Sequence, residues 1–238
     1  MSGIVDFHSH ILPGIDDGSR SVEESIALLR KEAEQGVSHV VATPHFYPQH
    51  DSPDHFLEKR AEAEAILREE MRKHSDLPTL SVGAEVYFFH GISDSDAISR
   101  LTIDQKRCIL IEMPWASWTD AMFQELEGLY NKQNLLPVVA HVDRYLGRFR
   151  TYGIPDRLAQ MPVLVQANAE FFLNKATSAM ALRLLKKDQI HLLGSDCHNL
   201  TSRKPNLMEA LATIESRLGK GPIDAICQWQ QYALPDII

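Results

Sequence analysis

Two histidines near the start of the chain, His8 and His10, stand two positions apart in the segment DFHSH. The apolar residues before them, Ile4, Val5 and Phe7, predict a β-strand, and side chains at i and i+2 of a strand lie on the same face. Neutral imidazole is a common ligand of transition metals, so two on one face can bind the same ion. The pair indicates a metal site, with Asp6 expected to orient a histidine rather than bind metal.

Further candidate ligands follow at the ends of later apolar segments. Glu85 and Glu112 end such segments, where an unpaired buried carboxylate would be costly and a metal ion removes that cost. A lone histidine pair would be weak support, whereas this ordered set indicates a multinuclear metal site. In the turn formed by Asp16, Asp17 and Gly18, Asp17 is the favoured ligand, although Asp16 could bind the metal instead. The full set is His8, His10, Asp17, His45, Glu85, Glu112, His141, Asp196 and His198.

Apolar, β-branched segments alternate with amphipathic helical segments, which predicts a parallel sheet covered by helices. The candidate ligands lie at the carboxyl ends of the strands, where parallel barrels place their sites. A (β/α) barrel brings these ends to one point, whereas an open doubly wound sheet, the alternative, would spread them along a line. The predicted strands are Ile4–Phe7, Val37–Thr43, Leu80–Glu85, Cys108–Glu112, Pro137–Ala140, Val163–Ala167 and Ile190–Gly194.

Helices are predicted between most of these strands. Ser21 and Glu24 fit a capping box that opens the first helix, and Gly36 ends it. Tyr87 to Lys106 is predicted to be a loop with a short helix. The other predicted helices are Pro53–His74, Asp120–Asn134, Ala176–Lys187 and Pro205–Leu218.

The composition of the 238 residues is that of one globular domain spanning 1–238. A net charge of −8 argues against a general nucleic-acid binder. The three cysteines, Cys108, Cys197 and Cys227, do not form a disulfide framework pattern. A secretory leader and a membrane-length apolar segment are both absent from the pattern. We therefore expect a soluble, cytoplasmic protein without membrane insertion.

The motifs together resemble the polymerase and histidinol phosphatase (PHP) family of metal-dependent phosphoesterases. They are closest to the branch of bacterial manganese-dependent protein-tyrosine phosphatases of capsular and exopolysaccharide loci. The resemblance runs from Asp6 to about Met208 and implies a distorted (β/α)7 TIM-like barrel, in agreement with the seven predicted strands. The motifs that carry it are HSHILPGIDDG at 8–18, ATPH at 42–45, GAE at 83–85, AHVDRY at 140–145 and SDCHNL at 195–200.

The resemblance implies a cluster of three metal ions, expected to be Mn²⁺, with Fe, Zn, Co or Mg as possible substitutes. One ion would bind His8, His10, Glu85 and Asp196. A second would share Glu85 and add Glu112 and His141. A third would bind Asp17, His45 and His198.

In catalysis, a hydroxide that bridges two metal ions would then attack phosphorus. Clustered cations favour this step because they lower the pKa of bound water and neutralise the phosphoryl oxygens. Arg144 and Arg203 match phosphate-binding positions of the family and would act as planar bidentate donors. Asp196 and His198 could also help to deliver a proton to the leaving oxygen.

The implied substrate is a phosphotyrosine protein, expected to be a bacterial tyrosine autokinase that controls polysaccharide export. The implied role is regulation of capsular or exopolysaccharide synthesis. A small-molecule phosphatase such as histidinol-phosphate phosphatase, or a PHP nuclease, is the alternative within enzymes. A non-catalytic phosphotyrosine-binding module is the alternative outside them.

A different chemistry is suggested by Cys197 and Arg203, which have the Cys-x5-Arg spacing of cysteine-dependent tyrosine phosphatases. The segment between them contains no glycine, and its cysteine alternates with Asp196 and His198, so we interpret the spacing as coincidence.

Aromatic residues also follow several strand ends. Half are expected to pack, and the others to line a shallow pocket for the substrate ring, with Phe46 and Trp115 as the candidates to test. The set is Phe46, Tyr47, Tyr87, Phe88, Phe89, Trp115, Trp118, Phe171 and Phe172.

Overall fold

The structure is a computed structural model that describes residues 3–146 and 153–235. Parallel strands alternate with helices along the described chain. The strands are β1 (Ile4–Ser9), β2 (Val37–Ala42), β3 (His45–Phe46), β4 (Thr79–Val82), β5 (Glu85–Tyr87), β6 (Cys108–Glu112), β7 (Leu136–Val139), β8 (Leu164–Asn168) and β9 (Leu192–Gly194). The helices are α1 (Val22–Glu34), α2 (Pro53–Met71), α3 (Asp120–Gln133), α4 (Ile154–Leu158), α5 (Glu170–Leu173), α6 (Ser178–Lys186), α7 (Leu207–Leu218) and α8 (Gly221–Ala233).

The strands form two parallel sheets, ordered β1-β2-β4 and β3-β5-β6-β7-β8-β9. Two backbone hydrogen bonds continue the pairing of the two segments through the interruption, from Gly83 N to Ala42 O (2.9 Å) and from Glu85 N to Pro44 O (3.0 Å). Because β3 continues β2 and β5 continues β4, the nine short strands correspond to the seven that the sequence predicts. The interruption at Pro44 fits the absence of an N–H on proline, which cannot donate to a strand ladder.

The two ends of the strand order meet. Asp196 N donates to His8 O (2.8 Å) and His10 N donates to Cys197 O (2.9 Å), so β1 is joined to the segment after β9. These contacts curl the sheet into a distorted barrel, which confirms the predicted fold class. The open doubly wound sheet is wrong for this chain because its edge strands would not meet.

Apolar side chains alternate along the strands between two environments. Ile109 and Ile111 of β6 join a cluster that includes the buried faces of α1, α3, α6 and α7. Cys108 and Leu110 of the same strand join a second cluster made of strand residues and the end of α8. This period-two alternation places one set against the helices and the other in the barrel interior. The interior packing leaves only the strand ends for polar side chains.

Helix boundaries agree with the predicted ones to within a few residues, and Ser21 caps α1 by accepting a hydrogen bond from Glu24 N. Tyr87 to Lys106 contains three short 3-10 helices after the end of β5. The sequence prediction lacked α4, α5 and α8. Of these, α8 begins with Gly221 and Pro222, and its last residues, Ala233 and Leu234, reach the interior cluster.

His39 of β2 illustrates how a histidine outside the metal motifs is used. It is 5% exposed and hydrogen-bonds Thr79 Oγ1 (2.7 Å) and Ser81 Oγ (2.9 Å). Burial lowers the pKa of His39 from 6.5 to about 4. The imidazole is therefore neutral in the folded protein at neutral pH and joins two strands of the sheet.

The depressed pKa of His39 predicts a specific loss of stability in acid. As pH falls below 6.5 the unfolded chain binds a proton that the folded chain excludes, so stability declines until the folded pKa near 4 is reached. The loss attributable to His39 is about 2–3 kcal/mol. Urea unfolding at pH 7 and pH 4 checks it: wild type should lose more stability than His39→Gln over this interval. Equal losses in both proteins would contradict the assignment.

Candidate metal centre

The structure brings all nine predicted ligands together at the carboxyl ends of the strands. Seven are less than one-tenth exposed, and His45 is only slightly more accessible. Asp17 differs, because its side chain is 67% exposed at the rim. Such concentration of imidazole and carboxylate in a barrel interior requires mutual pairing or a cation.

The first group contains the histidine pair. Nε2 of His8 and Nε2 of His10 are 3.1 Å apart. Glu85 Oε2 lies 3.3 Å from the former and 3.4 Å from the latter, and Asp196 Oδ1 lies 3.7 and 3.5 Å away. Four side chains from three distant segments thus direct their donor atoms to one point, and they are the set that the resemblance implies for the first ion.

The second group surrounds the other side of Glu85. Its Oε1 lies 2.6 Å from Nε2 of His141, which is 3.7 Å from Glu112 Oε1. His45 Nδ1 also approaches this group, at 2.8 Å from Glu85 Oε2 and 4.0 Å from Glu112 Oε2. Glu85 therefore lies between the first and second groups, where its two oxygens can serve both.

The third group distinguishes Asp17 from Asp16. Asp17 Oδ1 lies 3.5 Å from His45 Nε2 and 3.3 Å from His198 Nε2, and the ligand atoms of these residues and His10 lie within 4.8 Å of one another. Asp16 instead accepts from His10 Nδ1 (2.7 Å) and from His45 N (3.1 Å). The geometry favours Asp17 as a ligand and Asp16 as the group that orients His10.

Three buried atoms in the centre make no hydrogen bond of acceptable geometry with the residues that the structure describes, although ion-pair contacts reach the first and third: Glu85 Oε2, Glu112 Oε2 and His198 Nε2. Buried polar atoms without a partner are rare because each costs free energy. All three are carboxylate oxygens or imidazole nitrogens, the donors that divalent transition metals accept. The residues present therefore fit a metal cluster.

Carboxylates and imidazoles in the centre set one another's charge states. Although burial opposes ionisation, His8 and His141 bring the pKa of Glu85 well below its usual range. Burial, followed by the positive charge of His10, lowers the pKa of His198 to about 3. Glu85 and His198 are thus in the forms that coordinate metals at neutral pH, whereas His10, whose pKa Asp16 raises to about 10 despite burial, would release a proton on binding an ion.

Two of the candidate ligands have backbone conformations that are unusual outside glycine. His141 follows β7 with φ +29°, and Asp196 follows β9 with φ +53°. Such conformations cost about 1–3 kcal/mol each and occur most often at functional sites. Gly194 permits the approach of β9 to β1, because a Cβ there would lie 2.5 Å from the His8 Cβ. The strand ends are thus shaped to direct these side chains inward.

Strand β8 provides supporting residues that the sequence analysis missed. Gln166 Oε1 accepts from His141 N (2.6 Å) and contacts His8 Nδ1 (3.3 Å). Asn168 Nδ2 donates to Asp196 Oδ2 (2.8 Å). The sequence did contain a signal for this role, because the two amide residues stand two positions apart in an otherwise apolar strand. The structure shows that both side chains are buried. Such contacts fix the tautomer and direction of metal-binding side chains.

Tyr145 supports His141 from another direction. Its hydroxyl accepts from Met113 N (2.9 Å) and lies 3.3 Å from His141 Nδ1. A proton on Nδ1 that points to this oxygen leaves Nε2 free to face Glu85. The motif AHVDRY therefore supplies a ligand, an arginine and a positioning hydroxyl within six residues.

The two predicted phosphate-binding arginines lie side by side at the rim. Arg144 forms an ion pair with Asp196 Oδ2, and Arg203 Nη2 lies 2.7 Å from Asp196 Oδ1. Their side chains are 25% and 36% exposed, so the guanidinium groups are accessible from outside the barrel. The nearby His8 and Arg144 keep the pKa of Asp196 below its usual range despite burial.

Cys197 is not placed to act as a nucleophile. The residue is fully buried, and its Sγ lies 3.9 Å from Glu32 Oε1. Burial, followed by the charges of Glu32 and Asp6, raises the pKa of this thiol well above its usual value. Because the thiolate is the nucleophilic form, these surroundings argue against the cysteine mechanism.

The aromatic residues divide between packing and the rim. Phe46 is 2% exposed and packs on Phe56, so the prediction that it contacts substrate is wrong. Trp115 is 54% exposed but does not line the cavity beside the centre. Tyr47 does, and its ring stacks on His45 with centroids 5.1 Å apart. This cavity of about 440 Å³ is lined by Ile15, Asp16, Asp17, His45, Tyr47, His50, Asp51, Phe56 and Lys59.

A distorted parallel barrel with imidazoles and carboxylates clustered at its carboxyl end is typical of metal-dependent barrel hydrolases. The chain matches the family described as capsular polysaccharide synthesis, CpsB/CapC, over residues 4–231, and it belongs to that family.

Relatives and solved structures agree with this assignment. The chain is 32% identical over 233 residues to the tyrosine-protein phosphatase CpsB of Streptococcus pneumoniae, covering 91% of each chain. It is 28% identical over 227 residues to the tyrosine-protein phosphatase YwqE of Bacillus subtilis, covering 91% of this chain and 85% of that one.

Among solved structures, the chain matches one from the crystal structures of YwqE from Bacillus subtilis and CpsB from Streptococcus pneumoniae, described as unique metal-dependent tyrosine phosphatases. The TM-score is 0.83 at 25% identity, with 97% of this chain and 94% of the other covered. A TatD family hydrolase from Entamoeba histolytica shares the fold alone, with a TM-score of 0.58 at 10% identity and 97% of both chains covered.

Because Asp16 and Asp17 have different surroundings, we expect their substitution to weaken metal binding in different ways. Asp17→Asn should reduce the number of metal ions bound per chain, because it removes an oxygen that faces His45 and His198. Asp16→Asn should keep that number and weaken affinity about 10–100-fold, because it only orients His10. Metal content after dialysis, with titration of the apoprotein, measures both quantities. The reverse pattern would identify Asp16 as the ligand.

Proposed function

We propose that this chain is a metal-dependent protein-tyrosine phosphatase that hydrolyses phosphotyrosine in a protein substrate. The observation that carries the proposal is the convergence of buried imidazole and carboxylate donors on Glu85 beside two accessible arginines. Relatives in the same family that are named tyrosine-protein phosphatases support the choice of substrate. We infer that residues 1–238 act as one catalytic domain.

The proposed metal cluster contains three ions, with Mn²⁺ as the expected occupant and Fe, Zn, Co or Mg as alternatives. The first binds His8, His10, Glu85 and Asp196. The second binds Glu85, Glu112 and His141, and the third binds Asp17, His45 and His198. Their chemical contribution is to lower the pKa of water and to neutralise the phosphoryl oxygens.

The chain's own residues bind and orient the phosphate. Arg144 and Arg203 approach Asp196 from the rim, and each guanidinium presents planar donors that match phosphate oxygens. With phosphate bound, we expect both to share their donors between Asp196 and the substrate. Asp196 and His198 were expected to help to deliver a proton to the leaving oxygen, but the lowered pKa of each leaves neither as a general acid at neutral pH. Phenolate is a comparatively good leaving group and needs little acid assistance.

The tyrosine ring of the substrate is proposed to occupy the cavity lined by Tyr47. The cavity begins at His45 and Asp17 of the third group and includes the apolar side chains of Ile15 and Phe56. A phosphoryl group at the centre therefore places its aromatic ring against apolar surface. A phosphomonoester without a ring would leave this surface uncovered, which favours a substrate with an aromatic ring.

The proposed partner is a bacterial tyrosine autokinase, and the proposed role is control of capsular or exopolysaccharide synthesis. The family's connection with capsular polysaccharide synthesis supports this role. We also propose a cytoplasmic location, which agrees with three free cysteines in the described chain. Among the helices of residues 3–146 and 153–235, none is long and apolar enough to cross a bilayer.

Removal and return of metal tests the proposed activity directly. Phosphate release from a phosphotyrosine peptide should stop after chelation and resume when Mn²⁺ is added, because the donors that orient the substrate require the cations to neutralise phosphate. Histidinol phosphate and a short oligonucleotide should be much poorer substrates in the same assay. Faster turnover of histidinol phosphate would indicate a small-molecule phosphatase, and faster turnover of the oligonucleotide would indicate a nuclease. Tight phosphopeptide binding without turnover would indicate a binding module.

Tyr47 provides a test of the substrate cavity. Loss of one aromatic contact costs about 0.5–1.5 kcal/mol, so Tyr47→Ala should raise KM for a phosphotyrosine peptide about two- to tenfold. Tyr47→Phe keeps the ring and serves as the matched control, with KM close to wild type. Steady-state kinetics on the peptide and on a small aliphatic phosphomonoester separates the effects. Equal increases of KM for both substrates would place the ring elsewhere.

A further inference from the structure

A second cluster of polar side chains is buried outside the metal centre, where β1, the segment after β9 and helix α1 meet. It contains Asp6, Glu32, Ser195 and Cys197, of which Asp6 and Glu32 are 0% exposed. Donor atoms of Asp6, Glu32 and Cys197 lie within 4.8 Å of one another. The proposed reaction uses none of these side chains directly.

Asp6 fixes the backbone on both sides of Asp196. Its Oδ1 accepts from Ser195 N (2.9 Å), and its Oδ2 accepts from Ser195 Oγ (2.5 Å). Ser195 Oγ in turn accepts from Cys197 N (3.1 Å). The residue between these contacts is Asp196, with its positive φ. An unfavourable backbone conformation persists only where its surroundings enforce it, and this network does so.

Asp6 also accepts from His8 N (3.2 Å), so the same carboxylate contacts both segments that supply the first metal group. Asp6 lies between Val5 and Phe7, which join the interior cluster, so alternation directs its side chain to the helix side, near α1. A register irregularity between Asp6 and Ser9 accompanies the different direction of His8, which faces the metal centre. The position of Asp6 therefore affects His8 and Asp196 together.

Glu32 lies behind Asp6 and continues the buried face of α1 that Leu28 and Leu29 form. One of its oxygens, Oε2, has no hydrogen-bond partner among the described residues. Burial, followed by the charge of Asp6, raises the pKa of Glu32 well above its usual value. Two adjacent buried carboxyl groups are stable together when one of them carries a proton.

We infer that Glu32 is a positioning residue, which carries a proton, donates a hydrogen bond to Asp6 and so directs Asp196 and His8 toward the metal ions. The inference rests on the proposed metal-dependent function. It assigns Glu32 no contact with substrate or metal. The opposing hypothesis is that Asp6, Glu32 and Cys197 bind a further cation, which requires Glu32 to be ionised.

The two hypotheses make opposite predictions for Glu32→Gln, because an amide can donate the hydrogen bond but is a poor substitute for a carboxylate ligand. For the full-length apoprotein titrated with Mn²⁺, Glu32→Gln should bind within about twofold of wild type. Glu32→Leu should bind about 10–100-fold more weakly, as expected for loss of support behind a ligand. On a phosphotyrosine peptide, Glu32→Leu should lower kcat while KM changes little.

Glu34→Leu is the matched control, because Glu34 lies on the same helix with its side chain 65% exposed. It should bind Mn²⁺ as wild type does. Wild-type affinity in Glu32→Leu would overturn the inference. So would equal weakening in Glu32→Gln and Glu32→Leu, which would instead favour an ionised Glu32.

Infrared spectroscopy keeps the inference testable if Glu32→Leu does not fold. The carbonyl stretch of a protonated carboxylic acid should be present in wild-type apoprotein at neutral pH and absent from Glu32→Gln. An unchanged spectrum would overturn the inference. Ser195→Ala should also weaken Mn²⁺ binding, because it removes the hydroxyl that joins Asp6 to Cys197 N. These readouts use the metal alone, so they stand apart from the identity of the phosphorylated substrate.

Discussion

Burial of the Glu85 carboxylate is the constraint on which the centre depends. The residue is 1% exposed, and an isolated carboxylate in such a position would be strongly destabilising. The chain compensates by bringing His8, His10, His45 and His141 around it. These histidines come from three widely separated segments, so the barrel must close before the charge is compensated. Fold and chemistry therefore depend on the same contacts.

Much of the centre could be predicted from the sequence because parallel strands end at one edge. Most candidate ligands were recognisable as polar residues at the end of an apolar segment, whereas Asp17 was proposed from its turn, and the number of strands followed from the pattern of apolar segments. Asp6 was expected to support a histidine, and its place between the interior residues Val5 and Phe7 directs it to the helix side. The sequence does not reveal the register irregularity between Asp6 and Ser9, because that depends on the pairing of β1 with β2.

Other features could not be predicted because they depend on tertiary contacts. Gln166 lay inside the predicted strand Val163–Ala167 and Asn168 just after it, and only the closed barrel shows that their amides reach His141 and Asp196. The choice between Asp16 and Asp17 depends on how one turn is placed against β3. Phe46 and Tyr47 are adjacent in sequence, yet one packs in the core and the other lines the cavity. Local pattern alone does not distinguish such neighbours.

The junction between β1 and the segment after β9 has a consequence for how the protein is made. His8 and Asp196 are 188 positions apart, so His8 leaves the ribosome long before Asp196 is synthesised. Contacts at such separation form late because closing a long loop costs entropy. A nascent chain that ends between them would contain His8 and His10 without the aspartate that completes their group. Catalytic competence should therefore arise only after Asp196 has been added, and products truncated before it should be inactive.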